Sequence, residues 1–100
     1  MIPDLEAEFE ARLARGEAVS LARPPGARGA ARPAVLLIFG AGHFLGDLGD
    51  PRLNQRAALY GEAILEKPAD KRPARQLKRF DGPEGGLELE FLFARVPGDA

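Results

Sequence analysis

The chain contains no cysteine and no threonine, one serine (Ser20) and one histidine (His43). The first absence excludes a disulfide framework, a thiolate zinc site and cysteine catalysis. Ser20 sits inside an apolar strand candidate, so serine and threonine hydrolase mechanisms lack a nucleophile as well. Walker A and His-Glu-x-x-His motifs are also missing. Long apolar runs are scarce. The longest is Ala34–Phe39, against the roughly 20 residues needed to cross a bilayer. The first ten residues carry Asp4, Glu6, Glu8 and Glu10. An export signal would carry positive charge and then an apolar stretch, so a cytoplasmic protein is expected. Positive charge is not in excess either. Fourteen basic and fifteen acidic residues give a net charge of −1, which argues against a dedicated DNA-binding domain.

What is present suffices for one domain. One hundred residues at 45% apolar content supply a single modest core. Nine prolines fall mostly in loops, a pattern that suits a thermostable protein.

Asp4–Arg15 reads as a helix. Leu5, Phe9 and Leu13 form its apolar stripe, acidic residues crowd its start, and Arg12 and Arg15 its end. Glu17–Ala22 is a short strand candidate. Residues 23–33 are a loop by composition, rich in proline, glycine and arginine. Ala34–Phe39 is the clearest strand, and its apolar character at every position implies burial on both faces. A second helix begins at Asp50-Pro51, with Asp50 as N-cap, and ends near Glu66, because Lys67 precedes Pro68. Leu53, Ala57, Tyr60 and Ile64 make its core stripe. Gly61 inside this helix suggests close packing against a neighbour.

Pro68–Pro73 is a charged linker. Gln76–Phe80 and Leu87–Val96 read as two strands joined by a turn-rich loop at 81–86. On the last strand Glu88 and Glu90 begin a solvent face that Leu92 and Ala94 continue as apolar. Residues 97–100 form a tail expected to fray. The reading is therefore an α+β domain of α-β-β-α-β-β order. It is a two-layer sandwich with a four-stranded, mainly antiparallel sheet and both helices on one face. The other face is left to solvent or to a second subunit.

Three features bear on function. The first is the glycine-rich loop at residues 40–50, which follows the buried strand. It carries Gly40, Gly42, His43, Gly46 and Asp47 as candidate ligand-binding residues. Its spacing, G-x-G-x-x-x-G, departs from the dinucleotide fingerprint, and no helix opens directly from it. What it offers is a phosphate or small-molecule site with His43 beside carboxylates. No cofactor or metal is implied, since one histidine and two aspartates make a poor metal set.

The second is a run of basic residues, Lys67, Lys71, Arg72, Arg75, Lys78 and Arg79, against Asp70 alone. With Arg23, Arg28 and Arg32 it offers phosphate contacts, and Arg72, Arg75, Lys78 and Arg79 are the candidate polyanion-binding residues. The third is surplus apolar surface on the last strand and at Leu59 and Leu65, which points to self-association as a homodimer. With no catalytic constellation visible, association is the leading expectation and polyanion binding the alternative.

Overall fold

The computed structural model describes residues 4–24, 35–40, 43–82 and 85–94. Most of the 23–33 loop and all of the 97–100 tail lie outside the described residues. Helix α1 runs Leu5–Ala14 and helix α2 Pro51–Leu65. The strands are β1 (Ser20–Arg23), β2 (Val35–Ile38), β3 (Phe44–Asp47), β4 (Arg75–Gly82) and β5 (Gly85–Leu92). A single 3-10 turn, Ala69–Lys71, connects α2 to β4. All five strands join one antiparallel sheet in the order β3-β2-β1-β5-β4.

The α+β class and the antiparallel sheet match the sequence reading. The strand count, element order and layering do not. The sheet has five strands, because residues 44–47 of the glycine-rich loop form an additional strand, β3, paired with β2 through Ile38↔Phe44 to Val35↔Asp47. The element order is therefore α-β-β-β-α-β-β.

Nor do the helices share a face. Successive strand residues point to opposite sides. Leu36 and Ile38 pack with Ala57, Ile64, Phe80 and Phe91 under α2. Val35 and Leu37 pack with Phe9, Val19, Leu21 and Leu92 under α1. The result is three layers, with the sheet in the middle. The unbroken apolar character of β2 is explained by this, since both of its faces are core.

Each helix is started by an aspartate. Asp4 accepts hydrogen bonds from the backbone N–H of Glu6 and Ala7 at 3.1 and 3.2 Å. Asp50 accepts from Arg52 N–H at 2.9 Å, with Pro51 at the first helical position. Gly61 lets α2 lie close to the sheet, since a Cβ there would sit 2.8 Å from Ile38 Cδ1 and 3.6 Å from Ser20 Oγ.

Two expectations about exposure are corrected. Leu65 is buried, as are Leu92 and Phe93, so the chain itself covers the end of β5. Glu90, expected to face solvent, is also buried. Its carboxylate takes Arg23 from the adjacent strand at 3.1 Å and Arg75 from β4. Arg23 reaches on to Glu6 of α1 at 2.8 Å. Burial alone would lower the pKa of Arg23, but the hydrogen bonds it donates to Glu90 and Glu6 outweigh it, and the net shift is upward. The network crosslinks α1, β1, β5 and β4 beyond the edge of α1's apolar footprint.

Candidate functional site

The glycine-rich segment is a β-hairpin with an edge strand. Phe39 N–H donates to the His43 carbonyl at 3.1 Å and His43 N–H to the Gly40 carbonyl at 2.8 Å, which closes the turn between β2 and β3. Gly42 lies outside the described residues. Gly46 is on β3 with φ +102, and a Cβ there would drive into the Val35 carbonyl oxygen and lie 2.7 Å from Leu5 Cδ1. Its role is therefore the close approach of β3 to β2 under the start of α1.

His43 immediately precedes β3 and Asp47 ends it, roughly 13 Å apart at the rise of an extended strand. The imidazole is exposed and stacks on Phe39, with ring centroids 6.1 Å apart and planes 14° from parallel. The Asp47 carboxylate accepts from Asn54 Nδ2 at 2.9 Å and from Gly49 N–H at 2.8 Å. These two bonds, the Asn54 one first, hold its pKa below the ordinary value. Asn54 completes the lock by accepting from Leu48 N–H at 2.7 Å. A side chain about one turn inside α2 thus fixes the β3–α2 connection. The sequence showed Asn54 only as a polar residue on an otherwise apolar helix face. Among the described residues, no group of three or more histidine, aspartate or glutamate side chains is arranged to hold a metal ion.

The four candidate polyanion residues do not share a surface. Arg72 donates to the Lys67 carbonyl at 2.9 Å and the Leu65 carbonyl at 2.8 Å, capping the end of α2. Arg75 is ion-paired to Glu90. Lys78 points to the α2 side of β4, with Nζ 5.6 Å from the Tyr60 ring centre. Arg79 is on the opposite side, against Gly86. Arg23 belongs to the buried network, and Arg28 and Arg32 lie outside the described residues.

Among the described residues, the exposed large apolar side chains are Leu45, Leu59, Leu77 and Leu87. Leu59 is the most exposed of them, at 59%, and lies midway along α2 on the side turned away from the sheet. Beside it runs an open groove of about 360 Å³ lined by Phe44, Pro51, Gln55, Ala58 and Leu59. Edge strand β3 and the first half of α2 form its walls. A leucine beside an open groove is suited to taking up an apolar partner group. No helix among the described residues is long and apolar enough to cross a membrane. No protein-family model matches the chain, and neither a curated protein nor a solved structure matches it.

Proposed function

We propose that this chain works by association with a second copy of itself, as a small non-enzymatic homodimeric domain, and that α2 carries the contact. One observation carries the reading: Leu59, mid-helix and 59% exposed, adjoins the groove of Phe44, Pro51, Gln55, Ala58 and Leu59. Burying a leucine side chain is worth roughly 1.5–3 kcal/mol, and two-fold association would bury it twice. The end of β5 is covered by the chain's own core, and Leu45, Leu77 and Leu87 are each less exposed than Leu59, so α2 is the strongest apolar candidate among the described residues.

Size-exclusion chromatography with light scattering tests it directly. The expected mass at micromolar concentration is twice 10.7 kDa. A monomer throughout that range refutes the reading. Polyanion binding through Arg72, Arg75, Lys78 and Arg79 makes a different demand. It requires salt-sensitive binding to single- or double-stranded nucleic acid at low ionic strength. The engagement of Arg72 and Arg75 in intramolecular bonds favours association over it.

A further inference from the structure

We infer that α2 is the seam of a two-fold dimer, lying antiparallel against its symmetry mate with Leu59 at the axis. This rests on the association reading and specifies its geometry. The outward side of α2 carries Arg52, Gln55, Arg56, Leu59, Glu62, Ala63 and Glu66; Glu62 is half-buried and the others are exposed. Relative to Leu59 these positions fall at three, four and seven residues on either side. Those are the spacings that share one helical face.

The two halves of the face are mutual complements. Arg52 mirrors Glu66, Arg56 mirrors Glu62, and Gln55 mirrors Ala63; Arg56 also donates to the Asp81 carbonyl at 2.8 Å and Glu62 has a contact within its own chain, so the outer Arg52–Glu66 pair carries the charge argument. In an antiparallel pair centred on Leu59, each arginine of one helix meets a glutamate of the other, and small Ala63 meets longer Gln55. At 1.5 Å per residue the outer pairs sit about 10 Å from the axis on each side. A stripe that is its own antiparallel complement fits a second copy of this chain. An unrelated partner would not require the mirror relation.

A second observation points the same way. Apart from the capping Asp50, the charge order of α2 opposes its own dipole. The first turn contains no acidic residue and the last turn no basic one. Arg52 stands at the positive end and Glu66 at the negative end. In α1 the order is the favourable one, with Glu6 and Glu8 in the first turn and Arg12 in the last. Within a monomer the α2 arrangement is unfavourable for the helix. Neither Arg52 nor Glu66 makes an ion pair with another described residue. In the antiparallel pair each of these charges gains an opposite charge from the mate.

Charge exchange across the seam tests the inference. Arg52→Glu alone and Glu66→Arg alone each place like charges together twice by symmetry. Each is expected to weaken the dimer at least tenfold in sedimentation equilibrium at low salt. Mixing the two variants in equal amounts is expected to restore a heterodimer, and the double variant R52E/E66R a homodimer. Misfolding is controlled for by the dipole. Both single substitutions put the favoured charge at the helix end, so at concentrations where all forms are monomeric neither variant should melt below the wild type. If the wild type dimerises but the single variants dimerise equally well, or the mixture fails to restore pairing, the α2 seam is wrong and association uses another face. If the wild type is monomeric, the association reading itself fails.

Discussion

Replacing Gly46 by alanine separates a structural role for the glycine-rich segment from a ligand-cradling one. Gly46 and Gly49 both have left-handed backbone, at φ +102 and +100. An L-residue in this half of the map costs about 1–2 kcal/mol. The two sites differ in surroundings. A Cβ at Gly49 meets nothing within 4 Å, whereas at Gly46 it meets the Val35 carbonyl oxygen, with Val35 C at 3.2 Å and Leu5 Cδ1 at 2.7 Å. Leu5 can rotate away. The Val35 carbonyl belongs to β2 and cannot move without disturbing the ladder. That overpacking adds about 1–3 kcal/mol.

Gly49→Ala should therefore cost about 1–2 kcal/mol, and Gly46→Ala about 2 kcal/mol more. For a domain of this size the difference corresponds to about 8–16 °C in Tm. Urea titration at neutral pH measures it, with an unchanged m-value confirming that the denatured state is comparable. Equal losses for the two variants would falsify the close seating of β3 on β2, and the segment would again be a free loop available to a ligand.

Asp47 supplies a pH signature. Its pKa is lowered below 3.8 by Asn54 and the Gly49 N–H, so its contribution to stability is full above that value and is lost as pH falls through the lowered pKa. The stability advantage of wild type over Asp47→Asn should hold from pH 7 down to about pH 4 and shrink below it, as read from urea midpoints; a difference that stays constant on further acidification would disprove the linkage. Glu90→Ala removes one member of the buried network while Arg23 stays only 10% exposed, and it should destabilise by about 3 kcal/mol. A loss under 1 kcal/mol would mean that Glu6 alone compensates Arg23. Ser20 Oγ is buried with no hydrogen-bond partner among the described residues. Ser20→Ala should therefore be neutral or raise Tm, and a clear drop would reveal a partner for the hydroxyl.

The helices were legible to within a residue or so because each announces its start with aspartate and carries a clear apolar stripe. Strand β2 and the β4–β5 hairpin were legible for similar reasons, although the strands reach further into the turn, to Gly82 and from Gly85, and β5 ends at Leu92, before the expected end at Val96. Strand β3 was not legible. Phe44-Leu45-Gly46-Asp47 is four residues long and contains a glycine, and only its seating on Val35 makes that glycine a strand residue. The opposed helices were foreshadowed by β2 itself. A strand apolar at Val35, Leu36, Leu37 and Ile38 needs a cover on each side, and one helical layer cannot give two. The candidate site shifted for a related reason. Glycines chosen for close backbone approach resemble glycines chosen for a ligand until the neighbouring strand is in view. The mirror pattern of α2 was present in the sequence, but it becomes meaningful only once the buried side of the helix is known.

The position of β1 at the centre of the sheet has a consequence for synthesis. One edge of β1 is completed by β2, which begins at Val35, but the other waits for β5, whose residues 90–92 pair with 21–23. At about 5–20 residues per second, the ribosome needs several seconds to deliver that partner. Through that interval the nascent chain presents an open strand edge with Leu21 and Ala22, a template for wrong pairing. Arg23 stands on that same edge with a charge that has no strand partner until Glu90 emerges. A residue that contributes to a buried ion pair at the end of folding is, before that, a guard on the unfinished edge.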